Sequence, residues 1–564
     1  MTTLRPGPNV AAHLPRMARE KPDGAALYCP AGRGRGPSRP YTCWSFRALD
    51  EACDRFAHAL GAAGVRRGTR TAMMVAPGVE FFALTFALFK IGAVPVLIDP
   101  GMGPASVGRC LAEAEPAAFI GIPRAHLGRL LYRWAPASLR VLVTVGGRWL
   151  WGGHRLPNLV RPGGAAHPVA APPVAAHPVA AVAADEVAAI LFTSGSTGPP
   201  KGALYTHGMF AAQIEVLRRT FGIEEGEIDL CTFPLFALYA PALGMTSVIP
   251  AIDTSRPSCV APQDIIDPIR RFGVTNLFAS PALLRRVPPD GGAAPRALPS
   301  LRRAVSAGAP VPADVIERFG RLLSPGVQVF TPYGATEALP IASIGSDEIL
   351  AETRQRMDRG EGLCVGRPVD GMEVRVIRIS DEPIPAWSED LVVPRGGIGE
   401  IVVHGPTVTR DYANRPEATA RAKMRDPIRG DVWHRTGDLG YFCDRGRLWL
   451  CGRLSQRVVT ADGTLYTIPC EAVFNTHPLV RRAALVGVGR AGAQRPVLCV
   501  ELKPGTSRRG RSVIRRDLAT LAAGRPHTRG ITTFLFHPDF PVDVRHNAKI
   551  LRERLAEWAG RRLP

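Results

Sequence analysis

Residues 191 to 202 read LFTSGSTGPPKG, with four hydroxyls in five consecutive positions (Thr193, Ser194, Ser196 and Thr197), two interleaved glycines (Gly195 and Gly198) and one cation, Lys201. Hydroxyl and backbone donors on a turn whose glycines let a ligand come close suit a loop that wraps polyphosphate oxygens. It is not a Walker A loop: the lysine is followed by Gly202 instead of Ser or Thr, and the glycine spacing differs. Read as an ordinary surface loop, the stretch would need all of these positions to agree by accident. Further short motifs follow in order: SAGAP from Ser306, YGATE from Tyr333, TGD from Thr436, GRLSQR from Gly452 and NAK from Asn547. Singly each has an ordinary explanation, a turn, a strand end or a helix cap. Their joint order carries the information.

With these motifs the chain resembles the adenylate-forming superfamily, which includes acyl-CoA synthetases, luciferases and peptide-synthetase adenylation domains. The resemblance implies displacement of pyrophosphate from ATP by a carboxylate, with magnesium as cofactor. Two anions must meet, so cations and donors have to offset the charge of the transition state. By this resemblance Thr193, Ser194, Gly195, Ser196, Thr197, Gly198 and Lys201 hold the β- and γ-phosphates, Thr336 touches the α-phosphate, and Glu337 ligates Mg2+ through oxygen. Tyr333 and Gly334 lie near adenine beside the backbone of Gly308, Ala309 and Pro310. Asp438 accepts the ribose hydroxyls with Arg453 close by, and Lys549 enters from a mobile C-terminal domain to bond the carboxylate and the α-phosphate. Thr336, Glu337 and Lys549 are thus the expected catalytic residues.

Only six of the 70 basic residues are lysines: Lys21, Lys90, Lys201, Lys423, Lys503 and Lys549. A compact ammonium on a flexible stem fits between two anions where a planar guanidinium is poorly shaped. That gives Lys201 and Lys549 a chemical reason to remain lysines.

The chain departs from the superfamily pattern in four places. Ala237, in FPLFALYAPALG, stands where a histidine is usual; Ser455 replaces the hinge Asp or Lys; Val459 stands at a usual lysine place; and Ala548 precedes Lys549 where glycine is usual. Coenzyme A ligases of this superfamily use the rotated C-terminal domain to build a pantetheine tunnel, so a changed hinge and loop weaken that expectation. The wording FALYAPALG, SPALL, RVVTADGTLYTIPCEAVFNTHP and PVDVRHNAKI is similar to the β-lactone synthetases of long-chain olefin biosynthesis. That resemblance implies a 2-alkyl-3-hydroxy fatty acid as substrate. Its carboxylate is adenylated, and its own 3-hydroxyl then closes a β-lactone. The alternative is a long-chain fatty acyl-CoA ligase or fatty acyl-AMP ligase, and a catalytically silent scaffold is opposed by the intact Lys201, Glu337, Asp438 and Lys549. Met209, Phe210, Phe233, Phe236, Ala237 and Leu238 are candidates for the acyl pocket or for ordinary core. His207 and, more weakly, His434 are candidates for the base, and the departing phosphate could itself take the proton.

These groups require a scaffold of several layers. A chain of 564 residues exceeds a single core, and its hydrophobic content of 46% is that of a globular protein. Alternating apolar runs and helical periodicities predict an α/β fold, with a large multi-subdomain N-terminal adenylation domain over 1–452 and a small, mobile α+β C-terminal domain over 453–564. The stretch from Phe81, FFALTFALFKIGAVPVLID, is expected to be a buried helix and strand instead of a membrane span, since Lys90 and a glycine interrupt it. EVAAILF from Glu186 is expected to be a strand leading through the hydroxyl-rich turn towards a helix, on one face of which lie Phe210, Ile214, Leu217 and Phe221. AAHPVAA occurs twice within a Pro/Ala-rich loop at about 161–184. Eleven cysteines without CxxC pairs or zinc spacing are expected to be reduced thiols, mostly buried. The net charge of +21 comes with no polybasic tract interleaved with aromatics, so no nucleic-acid partner is expected. With no secretion signal or transmembrane anchor, the expected address is cytoplasmic. Contact with other enzymes of the same pathway and loose peripheral attachment to a membrane stay open.

Overall fold

The computed structural model describes residues 7–31, 39–147, 151–156, 175–193, 199–253, 259–288, 298–507, 510–542 and 550–563. It is a mixed α/β structure with a large N-terminal and a smaller C-terminal domain. Three sheets build the large part. In the first, Gln328–Phe330, Arg303–Ser306, Asn276–Ala279, Ile228–Cys231, Thr246–Val248 and Ala25–Pro30 run parallel, and Tyr41–Ser45 closes one edge antiparallel. In the second, His154–Arg155, Val141–Thr144, Ala118–Gly121, Arg70–Met74, Val94–Leu97 and Val187–Phe192 run parallel, and Gly202–Thr206 adds an antiparallel edge. The third is antiparallel and runs in space from Tyr333–Ala335 through Ala338–Ser343, Leu363–Pro368, Leu448–Arg453, Val432–Phe442 and Gly399–His404 to Glu373–Ile377, with Lys423–Arg425 pairing on Val432–Phe442.

One core cluster joins residues of the first two sheets, such as Leu27 and Val305, to Ala118 and Ala188, with helices between them. The helix Val79–Ile91 is apolar nearly all round because it is buried nearly all round. Its buried charge, Lys90, is matched by the helix Phe46–Ala62: Lys90 Nζ lies 2.6 Å from Asp50 Oδ1 and also bonds Asp54. A buried cation needs such partners, and removing one would leave the other uncompensated. The expected helix and strand at 81–99 are therefore both present, as Val79–Ile91 and Val94–Leu97. Among the described residues no helix is long and apolar enough to cross a membrane.

The strand Val187–Phe192 does not lead directly to the helix. It turns back as Gly202–Thr206, and the helix His207–Phe221 starts after that, with Thr206 Oγ1 accepting the Met209 N–H at 3.2 Å. Ile214, Leu217 and Phe221 are buried on the predicted face. Part of the Pro/Ala-rich loop, 161–174, lies outside the described residues; the remainder is tied down, with Ala180 N–H donating to Lys90 O at 2.8 Å. All eleven cysteines are free and nine are buried.

After the 3-10 turn Leu454–Gln456, the C-terminal residues form their own three-stranded sheet, Val480–Val488, Arg495–Leu502 and Thr533–Phe536, with the helices Thr467–Asn475, Arg511–Ala523 and Arg552–Gly560. Its core gathers Val458, Phe474, Leu485, Leu498 and Leu518. The ion pair Arg552–Glu471 ties its last helix to its first. It seats closely on the large part: a Cβ at Gly360 would lie 2.7 Å from Pro469 O, and one at Gly452 would strike the Thr467 hydroxyl.

Candidate active site

The hydroxyl-rich stretch connects the paired strands Val187–Phe192 and Gly202–Thr206. Its base is closed by Thr193 N–H donating to Lys201 O at 3.0 Å and Lys201 N–H donating to Thr193 Oγ1 at 3.2 Å. Ser194, Gly195, Ser196, Thr197 and Gly198 lie outside the described residues. The Gly202 N–H donates to Glu113 Oε1 at 3.1 Å, and Glu113 also holds Arg415 at 2.7 Å.

A second hairpin, Tyr333–Ala335 and Ala338–Ser343, carries Thr336 and Glu337 at its turn. Gly334 permits the tight reversal, because a Cβ there would stand 2.6 Å from Ala338 O and 2.8 Å from Leu339 Cδ1. The two hairpins are stitched together by residues 408–413. Ala203 bridges Tyr412 and Ala338 bridges Val408. Thr409 N–H donates to Glu337 O at 2.9 Å, and Ala413 N–H to Gly202 O at 2.7 Å. Tyr205 O–H donates to Thr336 O at 2.5 Å. Thr193, Lys201, Thr336 and Glu337, over a hundred residues apart in sequence, therefore share one rigid frame.

Tyr412 is the centre of that frame. Its O–H donates to Glu337 Oε1 at 2.6 Å, while Lys201 Nζ and Lys423 Nζ lie 5.1 Å and 5.8 Å from its ring centroid. Both distances are within cation–π range. Burial, followed by the Glu337 charge, raises the Tyr412 phenol above its ordinary value and keeps it a donor. Lys423 is enclosed. Its ammonium donates to Thr409 Oγ1 at 3.1 Å and to Thr409 O, and burial pulls its pKa down to about 7 although Glu337 and Asp411 favour the charge. One oxygen of Glu337 is committed to Tyr412, and the other has no protein hydrogen bond among the described residues.

Opposite lies a second polar cluster. Adjacent strands place Asp438 directly across from Arg453, with Arg453 Nε 2.9 Å from Asp438 Oδ1, while Tyr333 O–H donates to Asp438 Oδ2 at 2.7 Å. Asp438 is the main reason the Arg453 guanidinium is held above its ordinary value. Burial and then Asp438 raise the Tyr333 phenol. The parallel neighbours Arg303–Ser306 and Gln328–Phe330 end side by side, so Gly308, Ala309 and Pro310 emerge next to the approach to Tyr333. Gly308 has φ of 94°, a backbone setting that favours glycine.

The apolar candidates form one neighbourhood. Phe236 stacks on Phe278 at 4.6 Å and Phe233 on the same ring at 5.7 Å, while Phe210 lies 5.2 Å from Tyr205 and 6.1 Å from Tyr239. Met209 and Ala237 are buried in the main core, with Leu238 packed against it. Ala237, where a histidine was expected from the superfamily pattern, therefore presents only a methyl group to an apolar surround.

Both candidate histidines are buried. His207 starts a helix at the far end of Gly202–Thr206, and six extended residues at about 3.3 Å each separate it from Lys201 by about 20 Å. Burial pulls its pKa down to about 4. His434 is buried opposite Lys423, with its Nδ1 3.1 Å from Ala422 O, and burial and then Lys423 hold it well below the ordinary range. Lys549 lies outside the described residues; Val542 and Ile550, on either side, form an antiparallel bridge. Tyr412, Lys423, Tyr205 and Phe278 were not singled out from the sequence. Only Lys423 carried a visible signal, as one of six lysines in an arginine-rich chain.

The Lys201 and Lys423 ammonium groups thus lie about the Tyr412 ring beside the Glu337 carboxylate, and an Asp–Arg–Tyr cluster stands within the same sheet. Residues 14–413 match the AMP-binding enzyme family, to which the chain belongs. It is 51% identical over 564 residues to the olefin β-lactone synthetase of Xanthomonas campestris pv. campestris, covering 99% of this chain and 98% of that one. It is likewise 51% identical over 560 residues to the olefin β-lactone synthetase of Stenotrophomonas maltophilia, covering 98% of each. Among solved structures, ATP-bound MatB from Rhodopseudomonas palustris shares the fold with a TM-score of 0.76 at 22% identity, covering 98% of this chain and 99% of that one.

Proposed function

We propose that this protein is an ATP-dependent β-lactone synthetase acting on 2-alkyl-3-hydroxy fatty acids. The observation that carries the reading is identity of 51% to two olefin β-lactone synthetases across practically the whole chain, small domain included. A carboxylate oxygen attacks the α-phosphorus of ATP and releases pyrophosphate. The 3-hydroxyl oxygen of the same molecule then attacks C1, the bond to the phosphate breaks, and a four-membered lactone and AMP leave. Since the nucleophile is already bound, the enzyme's task is to fold the chain into a near-attack geometry and to exclude water. The buried Ala237 and the Phe233, Phe236 and Phe278 rings support an apolar, acceptor-free pocket. With His207 and His434 both buried and their pKa values pulled down by that burial, the departing AMP phosphate is the group we assign to receive the hydroxyl proton.

In this reading Thr193, Ser194, Gly195, Ser196, Thr197, Gly198 and Lys201 hold the β- and γ-phosphates, Thr336 the α-phosphate, and Lys549 the reacting carboxylate. Tyr333, Gly334 and the Gly308–Pro310 backbone hold adenine, and Asp438 with Arg453 takes the ribose. Glu337 fits magnesium: one of its oxygens is held by Tyr412 and the other carries no protein hydrogen bond among the described residues, and Mg2+ commonly takes one or two carboxylates plus phosphates and water. When bound there, it would neutralise phosphate charge as a Lewis acid. Tyr412 orients Glu337 for that role, and the mobile domain begins after residue 452.

The test is incubation with ATP, magnesium and a synthetic 2-alkyl-3-hydroxy acid, with and without coenzyme A, and identification of the product by mass spectrometry. AMP and a product one water lighter than the acid are expected without coenzyme A. A thioester that forms only with coenzyme A would replace this reading with the acyl-CoA ligase.

A further inference from the structure

The helix Pro123–Leu131 is anchored on one side only. His126 is enclosed, with Nε2 3.0 Å from Val143 O and its ring stacked on Trp151 at 5.3 Å. Gly128 lies against the Trp134 indole, where a Cβ would approach to 3.1 Å. The other side is bare: Leu127, Leu130, Leu131 and Tyr132 are 41%, 49%, 69% and 56% exposed. Among the described residues the remaining large apolar side chains so exposed, Ile428, Leu479 and Val513, are scattered along the chain. Single exposed apolar residues are ordinary, whereas four within six positions form a patch that calls for a partner.

Charge identifies the partner. Between Pro116 and Ala184 the sequence carries seven arginines and no Asp, Glu or Lys. Arg124 and Arg133 flank the patch and are exposed, with no carboxylate in ion-pair range among the described residues. We propose that this face docks on an anionic lipid surface, with Leu130, Leu131 and Tyr132 entering the headgroup and acyl boundary and Arg124 and Arg133 meeting lipid phosphates. An apolar tip bordered by arginines on a helix lying in the interface plane is the arrangement such surfaces favour. Tyr132, stacked on Trp134 at 6.0 Å, supplies the amphipathic ring that settles at headgroup level. The docking stands independently of the reaction assigned above. The further point, that a two-chain fatty acid can be drawn from the same bilayer, rests on that reading.

The full-length protein is tested by co-sedimentation with vesicles of phosphatidylcholine alone and of phosphatidylcholine with a minority of phosphatidylglycerol. Binding is expected to the anionic vesicles and to weaken at high salt. Leu130→Asp with Leu131→Asp should cut it by at least about tenfold, and Arg124→Gln or Arg133→Gln by about fivefold each. All four positions are outside the nucleotide site, so ATP–pyrophosphate exchange should be unchanged and certifies the fold of each variant. Failure to bind anionic vesicles, or binding indifferent to the leucine substitutions, overturns the proposal. So does a dimer in light scattering that these substitutions convert to monomer without any vesicle binding, which would give the face to a second copy of the chain.

Discussion

Replacing Lys423 by Met should make the protein more stable in acid and less active, and the size of the first effect follows from the site. Burial lowers the ammonium from 10.5 to about 7. Below pH 7 the folded state therefore carries a penalty on the order of 5 kcal/mol, at about 1.4 kcal/mol per unit. Against this, methionine forfeits the hydrogen bonds to Thr409, costing roughly 1 to 3 kcal/mol. The folded pKa lies below the unfolded one, so between pH 7 and 10.5 the unfolded chain binds more protons and the wild-type protein gains stability as pH rises. At pH 6.5 the variant should thus be the more stable by roughly 2 to 4 kcal/mol, and by pH 9.5 about 3 kcal/mol of that advantage should vanish. Urea denaturation of the two proteins at both pH values, followed by tryptophan fluorescence, measures the difference. A stability difference independent of pH would refute the reasoning, because it would mean that Lys423 titrates alike in both states. ATP–pyrophosphate exchange by the variant should fall, since Thr409 and the Tyr412 ring lose their buried cation.

Tyr412→Phe keeps the ring between its cations and deletes only the bond to Glu337; at about 1.5 to 3 kcal/mol for a charge-assisted bond, exchange should fall by roughly tenfold to a hundredfold and require more magnesium, and a rate within twofold of wild type would sink the orienting role. Gly334→Ala drives a methyl group into Ala338 O, so the turn bearing Thr336 and Glu337 must open; adenylation should drop at least about tenfold, with an unchanged rate showing that the turn tolerates a Cβ. Lys549→Arg preserves charge but not shape, and should lose most adenylation while remaining folded; near-normal pyrophosphate release would show that the NAK motif has been misassigned.

What could be read from the sequence divides along a physical line. Motifs whose chemistry is local could be proposed from the sequence, because a loop that wraps phosphate would need hydroxyls, glycines and a lysine within a dozen adjacent positions. The helix at 79–91 and its following strand were visible too, since burial writes itself as continuous apolar sequence. The return of the chain at Gly202 was not, because GALYT is equally compatible with the approach to a helix until its partner strand is known. Nor was Tyr412: its importance lies in meeting Glu337, 75 residues away, and a cross-chain meeting leaves no periodicity. Lysine usage is the intermediate case. In a chain so biased to arginine, each lysine is a question, and the structure answers several by the same logic. Lys90 fits between the buried Asp54 and the half-buried Asp50 and Lys423 into an enclosed pocket against Thr409 and Tyr412, while Lys21 forms only an exposed pair with Glu225. A guanidinium in the place of Lys90 or Lys423 would demand more room and more acceptors than those sites provide. Rarity therefore pointed to confined cation sites in general, and only the surroundings of Tyr412 distinguish the one beside Glu337 from the one in the core.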